Sequence, residues 1–255
     1  MFLNLIEIII LSLVQGISEF LPISSSAHLF IISTLYKFES SSLLLDVSLH
    51  FGSLSAIIFY FRKDLLNLQT NKKLLLLITV GSFPIIIIGY ILYSTELIYL
   101  LRNIKIIAWT TLIFGIILYY ADKNSLEKKI SSDLNFKTIL YIGFFQVLAL
   151  IPGVSRAGIT LSASRIFKFN RVDSSKISFL LSIPALAGAS FLSLKEIFEK
   201  NFQLTYLVFL SIILSFLFSY FTIKFFLNYV KKFSLNVFVI YRIIISIFLF
   251  IIVYN

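Results

Sequence analysis

The chain has no cysteine among its 255 residues, which excludes disulfides, thiolate metal centres and a cysteine nucleophile. Charge is scarce too: Asp, Glu, Lys and Arg make up 13% of the residues, against about 25% in a soluble domain. With 59% hydrophobic residues, polar side chains are too few to cover a water-exposed globule. There are 12 carboxylates and 2 histidines, so acid–base and metal chemistry is confined to few positions. The net charge of +10 would suggest nucleic acid in a soluble protein. Here Lys and Arg gather in short segments between apolar runs, the pattern of membrane topology signals, and no nucleic-acid partner is expected. The first residues lack a basic region and a small-residue cleavage site, and so read as mature protein rather than a signal peptide.

Long charge-free runs set the class. Leu74 to Tyr93 and Leu204 to Ile223 are each 20 residues long, enough for a helix to cross about 30 Å of hydrocarbon. Hydropathy predicts an all-α polytopic membrane protein, a single integral domain over 1–255, with six spanning helices near 43–61, 74–93, 104–121, 177–195, 204–228 and 236–254. Two regions, 1–35 and 138–165, are short apolar pieces broken by Pro, Gly and Ser. They predict re-entrant helical hairpins whose tips turn inside the membrane. Each hairpin is followed by three spans. Three is odd, so repeat 2 (about 138–255) is expected upside down relative to repeat 1 (about 1–121), with a polar site at their interface.

Loop charge orients the layout. Segments 62–73, 122–137, 166–176 and 229–235 hold thirteen Lys and Arg, and the opposite side holds Lys37, Arg102 and Lys200. The first set is expected in the cytoplasm, with both termini outside.

Ionisable and hydroxyl groups at membrane depth mark function. The first hairpin carries Gln15 and Glu19, one helical turn apart, then Ser24, Ser25, Ser26 and His28. The second carries Gly153, Ser155, Arg156 and Thr160. Arg forms bidentate bonds to phosphate, helix-start N–H groups bind anions, and a carboxylate can hold a divalent cation or take a proton. This set suits phosphoryl transfer, which needs positioning and charge neutralisation. Arg156 is expected to clamp phosphate. Glu19 is expected to bind a metal or act as acid or base, with Gln15 in support. Ser25 is the candidate nucleophile with His28 as base or acid, and metal-activated water is the alternative attacker. The bland readings are hairpin-turn serines and a structural Glu19–Arg156 pair. His50 is read as an interior or supporting histidine, and Glu7 as interfacial. Arg242 and Lys224 are read as snorkelling to the headgroups. Gly and Ser in 178–190 suggest close helix packing.

Gln15-Gly16-Ile17-Ser18-Glu19-Phe20-Leu21-Pro22-Ile23-Ser24-Ser25-Ser26-Ala27-His28 resembles the first signature of the undecaprenyl-diphosphate phosphatase, or bacitracin-resistance protein, family. Pro152-Gly153-Val154-Ser155-Arg156-Ala157-Gly158-Ile159-Thr160 resembles the second. Leu49-His50-Phe51-Gly52-Ser53, Gly143-Phe144-Phe145-Gln146 and Ser178-Phe179-Leu180-Leu181-Ser182-Ile183-Pro184 extend the likeness in order along the chain. The resemblance implies hydrolysis of undecaprenyl diphosphate to the monophosphate and phosphate, which recycles the cell-wall lipid carrier. It also implies an inverted-repeat fold in the bacterial inner membrane, a site open to the outer side, dependence on Mg²⁺ or Ca²⁺, and a homodimer. Glu19, Ser25, His28 and Arg156 match the positions associated with catalysis. Gln15 stands where many relatives have Glu, Ala27 replaces a common Gly, and Ala157 replaces a common Ser. A transporter of a phosphorylated polyprenyl lipid is the rival reading, since inverted repeats with broken helices suit alternating access.

Overall fold

The computed structural model describes residues 2–36, 43–101, 103–123, 128–199 and 206–254, which form helices and their connections, with an isolated β-bridge between Lys128 and Phe169. In order these are α1 (Phe2–Ser18), α2 (Ser25–Tyr36), α3 (Leu43–Tyr60), α4 (Arg62–Leu66), α5 (Leu68–Ser94), α6 (Leu97–Leu100) and α7 (Ile104–Asp122). Then follow α8 (Ile130–Asp133), α9 (Phe136–Val147), α10 (Arg156–Ile166), α11 (Arg171–Glu199), α12 (Tyr206–Tyr229) and α13 (Asn236–Tyr254). Lys37, Arg102 and Lys200, the outer-side basic residues of the sequence reading, lie outside the described residues.

Among the described residues five helices are long and apolar enough to cross a bilayer: Asn71–Ser94, Ile104–Asp122, Arg171–Leu192, Tyr206–Tyr229 and Asn236–Tyr254. Their outward faces are apolar, with Phe221 62% and Ile244 59% exposed. Water would penalise such continuous apolar faces, whereas lipid accepts them. The chain is a multi-pass helical membrane protein. The span expected at 43–61 falls on α3, whose apolar part Leu44–Tyr60 is shorter and carries Asp46 and His50 in its opening turns. The two broken regions fold as pairs of short helices, α1 with α2 and α9 with α10.

Packing between helices is close. α1 lies against α12 as α9 lies against α5, and α3 lies against α12 as α11 lies against α5. α7 pairs with α13, and α3 with α11. Small residues make these approaches. A Cβ on Gly143 of α9 would stand 2.1 Å from the Gly81 carbonyl oxygen of α5. Between α3 and α12 the hydroxyl of Ser53 bonds those of Ser215 (3.1 Å) and Ser219 (2.9 Å), and Ser215 donates to the Leu49 carbonyl (2.6 Å).

The four basic segments are bonded to one another. Lys176 Nζ meets Asp64 Oδ1 at 3.0 Å, and the Ile130 N–H donates to Asp173. Asp122, at the end of α7, takes a bidentate pair from Arg171 (2.8 and 3.0 Å), a contact from Arg165 Nε (3.2 Å) and the Leu235 N–H (2.9 Å). One buried carboxylate thus joins the ends of α7 and α10 to the starts of α11 and α13.

Candidate active site

α1 ends at Ser18, but the Glu19 N–H still donates to the Gln15 carbonyl (3.0 Å), so the two side chains stay one helical turn apart. Ser24 then takes φ 77° and the chain reverses into α2. In the second loop Gly153 takes φ 89° and Ser155 φ 67°, and α10 begins. Each loop therefore closes on a serine held in the left-handed region directly before a short helix. Such residues cost about 1–3 kcal/mol each and persist where surrounding structure imposes them, commonly at functional sites. Aromatic packing seats the first loop: Phe20 meets Phe179 edge-on at 5.5 Å, and Phe179 continues to Phe226 and Phe238.

Gly153 is required by space as well as by φ. A Cβ there would stand 2.1 Å from Thr110 Oγ1 and 2.8 Å from the Ile107 carbonyl oxygen. The Gly153→Ala variant is therefore expected to lose more than about 1–3 kcal/mol of stability, the left-handed strain alone, because the clash adds to it. Thermal unfolding in detergent checks this, and an unchanged midpoint would show the loop to be loose.

The loops meet through Glu19. Its Oε1 accepts from Arg156 Nη2 at 2.7 Å, and its Oε2 accepts from Gln15 Nε2 (3.0 Å) and the Ser25 hydroxyl (2.5 Å). Glu19 is 5% exposed and Arg156 13%, so the pair is largely withdrawn from solvent. Three buried polar atoms here have no partner among the described residues: Arg156 Nη1, Gln15 Oε1 and Ser24 Oγ. Unpaired buried donors and acceptors are costly, and clustered ones mark room for a ligand with matching charge. Arg156 Nη1 is a donor suited to an anion, and Gln15 Oε1 an acceptor suited to a cation or water.

The other candidates are placed as follows. Ser155 Oγ caps α10 by accepting from the Gly158 N–H (3.1 Å). Thr160 gives its hydroxyl to the Arg156 carbonyl (2.7 Å) and meets Ser178 Oγ (2.7 Å), so it braces α10 against α11 and does not face the Glu19 side chain with a free hydroxyl. Ser26 lies in the first turn of α2. His28 does not bond Ser25: Nδ1 lies 2.6 Å from the Ser24 carbonyl and Nε2 2.5 Å from Tyr241 Oη. The bond partner of Ser25 is Glu19. His50, on α3, uses Nδ1 on the Asp46 carbonyl (3.0 Å). Glu7 is half-buried on α1 and Lys224 is exposed on α12.

Arg242 corrects the sequence reading. It does not snorkel: it is fully buried and donates to carbonyls of both loops and of α7. Its depth was the available signal. It sits six residues into α13, about 9 Å from the helix start, a long reach for the headgroups.

A divalent cation is tested by the donor set. Among the described residues no group of three His, Asp or Glu could cage one. Glu19 and the open Gln15 Oε1 fit the other mode, in which one carboxylate and neutral oxygens share the ion with water and substrate phosphates.

A serine hydroxyl bonded to a carboxylate, beside a guanidinium with an open donor, in a multi-pass helical protein defines a membrane protein equipped for phosphoryl chemistry. Comparison with known proteins agrees. Residues 8–248 match the family described as bacitracin resistance protein BacA, and the chain belongs to that family. It is 71% identical to the undecaprenyl-diphosphatase of Pelagibacter ubique (strain HTCC1062), covering 100% of both chains. It is 39% identical to that of Elusimicrobium minutum (strain Pei191) over 96% of this chain and 97% of the relative. With the Saccharophagus degradans enzyme identity is 37%, over 99% of each.

Proposed function

We propose that this protein is an undecaprenyl-diphosphate phosphatase, releasing phosphate from the lipid carrier by attack of Ser25 on the terminal phosphorus. The carrying observation is the 2.5 Å bond from the Ser25 hydroxyl to Glu19 Oε2, beside Arg156 with Nη1 open. Full-length similarity to named undecaprenyl-diphosphatases supports the substrate.

Arg156 holds phosphoryl oxygens, helped by N–H groups at the starts of α2 and α10. Glu19 takes the Ser25 proton as the Oγ–P bond forms and the bridging P–O bond breaks. The electron pair leaves with prenyl monophosphate, whose bridging oxygen receives the proton from Glu19. Water then attacks the phosphorus and gives a proton to Glu19 as the Ser25 Oγ–P bond breaks; Glu19 passes that proton to the leaving Ser25 oxygen, and phosphate departs with the water oxygen. Glu19 and Gln15 would hold Mg²⁺ or Ca²⁺, which supplies charge neutralisation on the diphosphate when bound.

The two broken regions are re-entrant hairpins in an inverted repeat of six spans. The exchange of α1–α12 for α9–α5 contacts, and of α3–α12 for α11–α5, supports that symmetry. The bonded basic segments form the cytoplasmic end, so the site opens to the outer side of the inner membrane.

The test is phosphate release from a long-chain prenyl diphosphate by the purified protein, with and without EDTA. EDTA is expected to abolish release and added Mg²⁺ or Ca²⁺ to restore it. Arg156→Ala and Arg156→Lys are both expected to lose on the order of 10²–10³ in kcat, the range for removing one transition-state donor, since lysine lacks the fork. Wild-type turnover by the lysine variant would remove Arg156 from the site. Acid quenching during turnover is expected to trap phosphate on Ser25; label passing from water to phosphate with no protein adduct would overturn the serine route.

A further inference from the structure

Two consecutive residues of α13, neither catalytic by contact with Ser25, reach the loops that form the site. Arg242 is fully buried and spreads its guanidinium over five carbonyls. Nη1 donates to Pro22 (3.2 Å) in the first loop and to Val154 (3.1 Å) in the second. Nη2 donates to Gly153 (2.9 Å) in the second loop and Thr110 (3.5 Å) in α7. Nε donates to Thr111 (3.1 Å) in α7. Among the described residues Arg242 has no carboxylate partner. A buried cation is costly unless fully bonded, so this side chain holds only while both loops present their carbonyls to it.

Tyr241 faces the first hairpin. Its ring stacks on His28 with centroids 5.7 Å apart and planes 13° from parallel, and its hydroxyl lies 2.5 Å from His28 Nε2. His28 Nδ1 is bonded to the Ser24 carbonyl, which can only accept, so Nδ1 carries the proton. In the neutral ring Nε2 is then the acceptor, and the tyrosine hydroxyl donates a hydrogen bond to it. The second ring nitrogen is committed to α13 and not to Ser25.

We propose that Tyr241 and Arg242 are positioning residues for phosphate release: Arg242 ties the two loops together so that Glu19, Ser25 and Arg156 meet, and Tyr241 holds the His28 ring in place through its hydrogen bond to Nε2. This rests on the phosphatase reading above. Glu19 and Ser25 flank the Pro22 end of one loop, and Arg156 follows the Gly153–Val154 end of the other. The carbonyls that Arg242 gathers are therefore those that set the distance between the reacting groups. Displacement of catalytic groups by about 1 Å can cost on the order of a hundredfold in rate.

The test uses the full chain in detergent or nanodiscs. Arg242→Lys keeps the charge but cannot span carbonyls of both loops, and is expected to lower kcat about a hundredfold with KM within a few-fold. Tyr241→Phe removes one hydroxyl and keeps the stacked ring. It is expected to lower kcat by about ten- to a hundredfold, the range seen when a partner that orients a histidine is removed. The independent readout is ¹⁵N NMR of histidine-labelled protein, which is tractable because the chain has only two histidines. His28→Gln identifies the His28 signals. Wild type is expected to show protonated Nδ1 and an unprotonated, hydrogen-bonded Nε2 at His28, and Tyr241→Phe the same Nδ1–H with the Nε2 resonance moved to that of an unbonded nitrogen.

A wild-type His28 protonated at Nε2 alone would overturn the Tyr241 assignment, as would a Tyr241→Phe variant with unchanged Nε2 resonance and kcat. Arg242→Lys turning over like wild type would overturn the latch. So would a loss of activity by Arg242→Lys that merely tracks its unfolded fraction in a thermal melt. If wild type itself releases no phosphate from a prenyl diphosphate, the phosphatase reading fails while the Nε2 result still stands or falls separately.

Discussion

Glu19→Gln is expected to lower kcat for phosphate release by about 10²–10⁴-fold, the contribution of a general base in the transition state. The amide keeps the shape and can still accept from Arg156, so the loops should remain joined. What disappears is a basic oxygen for the Ser25 proton, and a negative charge for a divalent cation. A purely structural Glu19–Arg156 pair predicts the reverse: lower stability with nearly normal turnover per folded molecule. Measuring kcat together with the thermal midpoint separates the two, and wild-type kcat in this variant would remove Glu19 from the chemistry. The acid quench adds a check, since the variant should also fail to accumulate phosphate on Ser25.

Asp122→Ala is expected to have the largest effect on stability, about 3–5 kcal/mol, because breaking one side of a buried ion pair leaves the other charge unpaired. Asp122 is 2% exposed and Arg165 3%. The carboxylate also serves Arg171 and the Leu235 N–H, so its removal strips acceptors from three segments at once. For a chain of this size the midpoint should fall by about 10 °C, taking 2–4 °C per kcal/mol. Adding Arg165→Met is expected to recover much of the loss, since apolar replacement of a buried ionic cluster is often tolerated. A midpoint within about 2 °C of wild type in the single variant would mean that water or lipid phosphate already stands in for Asp122.

Much of the site was legible along the chain because it is carried by short motifs. Gln15 and Glu19 are one helical turn apart by spacing alone, and Pro22 and Pro152-Gly153 announce loops where apolar runs are too short to span. Pairings made between distant segments were not legible. Ser25 and His28 share one turn of α2, so sequence proximity suggests a serine–histidine couple. In the fold Ser24 at φ 77° turns the chain so that Ser25 meets Glu19, while His28 is directed to Tyr241 of α13. Thr160 reads as a phosphate ligand by position in its motif, yet α11 brings Ser178 to its hydroxyl.

The order of apolar and charged residues by itself determined that this chain lives in a membrane, where its helices break, and which few polar groups stand at those breaks. Backbone polar groups in lipid must be satisfied within the chain, so hydropathy leaves little choice there. Tertiary structure alone decided how those groups are partnered, and that Arg242 turns inward to two loops rather than outward to headgroups. A lone arginine in an apolar helix has both options open, and only the packing of neighbours, absent from any local window of sequence, selects the face it takes.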